Sequence, residues 1–184
     1  MKIGNCDLNY DAKTNSTYIN CRDVYANFKV AHGRFFTSNG GSDTTPQVEA
    51  KNMHVQIFLN DSYSGDTLNI LGHRYGSKTG HNDNLNLPVN DSMTFKESWG
   101  TELQVTTDEK GALKTVTVMK KSPDGKDIWN KYFLEKAADG KFRHSYEYMT
   151  RVDKHGAALA PSENGSVGIA TVKGSTLKDL LAKQ

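Results

Sequence analysis

Four turn signals in the second half of the chain limit its folding more than any other feature. Asp108-Glu109-Lys110-Gly111, Pro123-Asp124-Gly125-Lys126, Ala138-Asp139-Gly140-Lys141 and Asp153-Lys154-His155-Gly156 recur with glycine spacings of 14, 15 and 16 residues. Asp-Gly supplies the left-handed backbone that tight hairpin turns need, and the segments between are rich in Val, Thr, Tyr, Phe and Trp. This is the rhythm of an antiparallel meander. A solenoid repeat would share side chains as well as turns, and these segments share only their turns.

If each turn closes its hairpin in the simplest register, the pairing follows by counting. Val116 then faces Phe133, Val118 faces Lys131 and Lys114 faces Glu135. On the next strand Phe133 faces Tyr146, Lys131 faces Tyr148 and Glu135 faces His144. On the preceding one Leu103 faces Val116 and Val105 faces Lys114. One face so collects Leu103, Val105, Val116, Val118, Trp129, Phe133, Phe142, Tyr146 and Tyr148. The other collects Thr115, Thr117, Asn130, Lys141, Arg143, Ser145 and Glu147. Such one-sided alternation marks a sheet with one wetted face. The fold class read from it is mainly β, an antiparallel meander forming an up-and-down barrel, complete or incomplete, with a β-sandwich as the alternative.

The first half has its own anchors. Cys6 and Cys21 flank the polar stretch Asp11-Ala12-Lys13-Thr14-Asn15-Ser16, which reads as a turn. Pairing Cys6 with Cys21 also sets Leu8 opposite Ile19 and Tyr10 opposite Thr17, close enough across two strands for a disulfide. Disulfides persist in oxidising compartments, which points to a secreted or periplasmic protein. Val24 to Val30 and Met53 to Leu59 alternate as strands, and Thr67 to Leu71 and Ser92 to Trp99 read as further ones. Two loops, 37–47 and 72–88, are crowded with Gly, Asn, Ser and Thr, and loops of that length are usually functional. Ser175-Thr176 followed by Leu177, Leu180 and Leu181 predicts a short C-terminal helix.

Composition narrows the partners. The 184 residues suit one domain, read as 1–184. Lys+Arg 23 against Asp+Glu 21 leaves a formal charge of +2, too small a field to favour nucleic acid. No apolar run approaches a membrane span. Met1-Lys2-Ile3 runs straight into polar Gly4-Asn5, so no signal peptide is read at this end, which is also how a mature exported chain with an added Met begins. The sequons at Asn15, Asn60, Asn90 and Asn164 are what the abundance of Asn, Ser and Thr produces by chance.

Motif by motif, catalysis and metals find little support. Gly72 to Thr79 has one residue too many for a phosphate loop and no helix after it. Asn82 to Asp91 is oxygen-rich but lacks the Gly and Glu of an EF-hand, and His73 with His81 and Asp83 matches no ligand spacing. No cofactor and no metal is expected. No nucleophile elbow occurs, so whether the chain is an enzyme stays open.

The candidate site is the expected inner face. Trp129, Phe133, Tyr146 and Tyr148 supply an aromatic wall, with Lys131 among them. Lys114, Glu135 and His144 form a charged row that anchors a ligand at the mouth of a cavity, or else a rim ion pair beside a filled interior. The leading expectation is a binding module for a mostly apolar small molecule, and the sheet resembles lipocalin-type carriers in topology only. A protein- or glycan-binding module acting through the two long loops, with Arg74, Tyr75 and Trp99, is the alternative. A hydrolase or isomerase using Glu135 and His144 is the third.

Overall fold

The computed structural model describes residues 1–11, 13–14, 16–29, 47–60, 67–70, 73–75, 89–97, 100–160 and 162–174. Among these the chain is all β, with no helix. The strands are β1 (Lys2–Ile3), β2 (Cys6–Asp11), β3 (Ser16–Lys29), β4 (Gln47–Asn60), β5 (Thr67–Ile70) and β6 (His73–Tyr75), then β7 (Ser92–Lys96), β8 (Thr101–Thr107), β9 (Leu113–Lys121), β10 (Ile128–Lys136), β11 (Phe142–Val152) and β12 (Gly168–Gly174). All pair antiparallel. No helix among the described residues is long and apolar enough to cross a membrane. The helix expected after Ser175, and the expected loops 37–47 and 72–88 apart from residues 47 and 73–75, lie outside the described residues.

Two sheets result, neither closed into a barrel. The first runs β2-β3-β4-β5-β6 and the second is the meander β7 to β12, joined where Tyr25 of β3 pairs with Lys96 of β7. One hydrophobic cluster takes Leu8, Ile19, Val55 and Ile57 from the first sheet and Phe95, Val105, Val116 and Leu134 from the second. The open end of the sequence expectation therefore holds, and the first sheet covers the inner face of the second. At one end of this contact the β1-β2 turn sits on β8. Gly4 has φ of 58°, and a Cβ there would lie 1.8 Å from Thr101 Oγ1, so no larger residue fits. At the other end the Tyr10 ring meets the His144 ring edge-on at 5.6 Å.

The first sheet follows the sequence reading closely. Cys6 pairs with Cys21, Leu8 with Ile19 and Tyr10 with Thr17, and the disulfide is present between fully buried sulfurs. Val55, Ile57 and Leu59 are buried opposite Cys21, Ile19 and Thr17. Residues 73–75, expected within a loop, instead form β6, with Arg74 opposite Asn69 and Tyr75 opposite Leu68.

The meander exists as expected, but its turns are longer than the simplest ones. Three loops have three residues, as where the Ala137 N–H donates to the Lys141 carbonyl and the Gly140 N–H to the Ala137 carbonyl. This is a type I turn completed by a left-handed glycine. Each loop is clamped by its aspartate: Asp108, Asp124, Asp139 and Asp153 each accept a backbone N–H from within the turn. The Ser122 hydroxyl and the Lys126 N–H hold the Asp124 carboxyl below its ordinary range. The Lys141 N–H and the Arg143 guanidinium do the same for Asp139.

The decisive departure is in β10. Next to the turn the Ser122 N–H donates to the Asp127 carbonyl and Ile128 faces Lys121, which is the simple register. Trp129 is then an extra residue, and Asn130 faces Lys120. Beyond this β-bulge every pair is displaced by one, so Tyr132 faces Val118 and Leu134 faces Val116. Because side chains alternate, Lys131, Phe133 and Glu135 turn away from the core. Energetics favours this choice. The simple register would bury Lys131 and Glu135 at several kcal/mol each, whereas burying Leu134 stabilises by about 1.5–3 kcal/mol. A disrupted ladder bond costs only about 1 kcal/mol.

A second bulge corrects the β8-β9 expectation without changing faces. Leu113 faces Thr107 and Thr115 faces Thr106, so Lys114 is the extra residue and points to solvent. Leu103 therefore faces Val118, and Val105 faces Val116. The shift is two residues, which preserves the alternation.

Candidate functional site

The expected site residues are divided between the two faces of the meander. His144, Tyr146 and Tyr148 remain on the inner face of β11, where Tyr132 and Leu134 join them across β10. Lys131, Phe133 and Glu135 lie on the outer face, opposite Glu147, Ser145 and Arg143. Lys114 and Trp129 are bulge residues, and Trp129 is 43% exposed. The charged row of Lys114, Glu135 and His144 does not form: Glu135 faces Thr115 and Arg143, while His144 faces Leu134. Glu135 and His144 thus sit on opposite faces of the sheet and cannot share a proton as acid and base.

Inside, the polar groups satisfy one another. Tyr132 is 1% exposed, and burial, with the Tyr10 phenol beside it, pushes its phenol well above the ordinary tyrosine range. The Tyr132 hydroxyl shares a hydrogen bond with Nδ1 of His144, whose ring stacks on the Tyr132 ring with centroids 5.7 Å apart. Tyr146 stacks on Tyr148 at 5.7 Å and accepts from Asn130 Nδ2 at 3.4 Å. This is a hydrogen-bonded aromatic cluster on the inner face. The first sheet meets this cluster where the Tyr10 ring packs on His144.

Outside, three expected residues do come together. A groove of about 380 Å³ opens over β10, β11 and β12, lined by Lys131, Phe133, Ser145, Tyr146, Glu147 and Lys173, with Gly174 at its end. The bulge at Trp129 is what places Lys131 and Phe133 there. Register supplies the rest: Lys131, Glu147 and Lys173 are direct cross-strand neighbours on three adjacent strands. Gly174 is paired with Tyr146, and the groove ends beside this pair, where β12 ends.

Its electrostatics are uneven. Glu147 lies 3.8 Å from Lys173. Lys131 is half-buried, its ammonium 5.7 Å from the centre of the Phe133 ring, a cation–π contact. Among the described residues Lys131 has no carboxylate within ion-pair distance. Ser145 and the Glu147 carboxylate are further polar groups of its lining.

Tyr132 and Lys173 are the residues that sequence counting missed. For Tyr132 a signal was present: positions 131, 133 and 135 carry two charges, whereas 132 and 134 carry none, so one parity of β10 is plainly better suited to a core. For Lys173 there was none, because no turn count reached β12. Among the described residues no cluster of His, Cys, Asp and Glu is arranged to hold a metal ion. Arg74 and Tyr75 lie in β6, and Trp99 is outside the described residues. No protein-family model, curated protein or solved structure matches this chain.

Proposed function

We propose that the protein is an exported binding module that holds a mostly apolar small molecule in the groove over Phe133, on the outer side of β10 to β12. The observation that carries this reading is the juxtaposition of Phe133 with a short row of charged side chains around a space of about 380 Å³. That volume is in the range of small-molecule sites. Compared with the site expected from sequence, the ligand lies on the opposite face of β10, because the bulge carries Lys131 and Phe133 outward. The buried disulfide between Cys6 and Cys21 supports export to an oxidising compartment.

Titration with the neutral, environment-sensitive dye Nile red tests the groove. Saturable uptake with a blue-shifted emission is expected, and Phe133→Ala should weaken it by about tenfold through loss of the apolar wall. No uptake, or uptake indifferent to Phe133→Ala, would remove this reading.

A further inference from the structure

The ionic row along the groove is unbalanced, with Lys131 and Lys173 flanking a single acid, Glu147. The carboxylate is already engaged, 3.8 Å from Lys173, whose side chain is 76% exposed. Lys131 is different: it is half-buried and rests on the Phe133 ring at 5.7 Å. Taking an ammonium partly out of water is unfavourable unless an anion or hydrogen-bond acceptor meets it. The ring face compensates in part. Among the described residues no protein acceptor meets the remaining N–H donors of the ammonium.

From this we infer that the ligand is a single-chain amphiphile with a carboxylate head, the head seated on the Lys131 ammonium and the apolar body over the Phe133 ring. The inference rests on the groove being the binding site. Sequence spacing sets the geometry: Lys131 and Phe133 are two residues apart on one strand, so their side chains project from the same face about 6.5–7 Å apart. A head group at Lys131 therefore directs the chain across the aromatic ring and past Ser145. A cationic head would meet two lysines and one acid that is already paired. A neutral head would leave the ammonium without its anion. The expected order of affinity is carboxylate, then alcohol, then quaternary ammonium.

Displacement of Nile red by decanoate, decanol and decyltrimethylammonium, each below its micelle concentration, tests the order. Decanoate should bind most tightly, and Lys131→Met, which keeps the apolar stem, should weaken it about fivefold while leaving decanol unchanged. Added salt should weaken decanoate in the unmodified protein and not in Lys131→Met. Equal binding of decanoate and decanol, preference for the ammonium, or decanoate affinity unmoved by Lys131→Met would each overturn the head-group assignment while the groove stands. Absence of Nile red uptake would remove the groove and this inference together. Circular dichroism of Lys131→Met should match the unmodified protein, as expected for a side chain on the wetted face.

Discussion

The hairpins β2-β3 and β9-β10 are built from similar material, but the register expected from the cysteine pair in the first holds throughout, whereas the one counted from the turn in the second does not. In β2-β3 the two cysteines tie positions 6 and 21 covalently, and Leu8 and Ile19 then share the buried face. A slip of one residue would separate the sulfurs and expose both aliphatics. In β9-β10 nothing covalent holds the register. The turn at Asp124-Gly125 starts the hairpin as counted, and the extra residue Trp129 then shifts the remainder by one. The difference teaches that a turn fixes only the first pair of a hairpin. What lies beyond is decided by which side chains the opposing sheet will bury.

The sharpest way to break the comparison is to truncate neighbours on β10. Leu134 is fully buried, and Leu134→Ala should cost about 2–5 kcal/mol in urea unfolding, whereas Phe133→Ala should cost about 1 kcal/mol or less. The simple register predicts the reverse order. A larger loss for Phe133→Ala would return that ring to the core and undo the groove as well.

Next in size is the disulfide. It closes a loop with a sequence separation of 15 residues, so replacing Cys6 and Cys21 together by Ala should lower stability by about 3 kcal/mol, measured by denaturant unfolding. Reduction of the unmodified protein under denaturing conditions should show the same midpoint shift. A shift below about 1 kcal/mol would mean that Leu8 and Ile19 hold the register without it.

The smallest effect should come from deleting Trp129. Removal of the bulge residue leaves Lys121 facing Ile128 and Lys120 facing Asn130, now without an interruption. The cost should be about 1 kcal/mol, since the side chain is 43% exposed. Cross-strand proton contacts between Tyr132 and Val118 should survive in nuclear magnetic resonance spectra. Their loss would show that the bulge is needed to set the face, and does more than accommodate it.

Much of the fold was legible. The four Asp-containing turns located the meander, because an aspartate that accepts local N–H groups and a glycine that adopts the left-handed conformation leave the chain few other choices. Leu103, Val105, Val116, Val118, Phe142 and Tyr146 were assigned to the core, and all six are buried. The candidate site was legible in composition and wrong in arrangement. Lys131, Phe133 and Tyr146 do line one groove, but the Lys114, Glu135 and His144 row dissolves because two bulges and the three-residue turn between β10 and β11 intervene. Counting from a turn cannot see a bulge. The charge pattern of β10, read for parity, could have.

By itself the sequence determined the elements that depend on local chemistry: the all-β character, the turns, the alternation within each strand and the covalent pairing of Cys6 with Cys21. Only the tertiary structure turned the parity of β10 into a definite face and so decided which side chains line the outer groove. The reason is that alternation offers two faces, and the choice between them is a comparison of burial energies. Leu134 and Tyr132 gain by meeting the first sheet, Lys131 and Glu135 lose by it, and no residue within the hairpin can make that comparison alone.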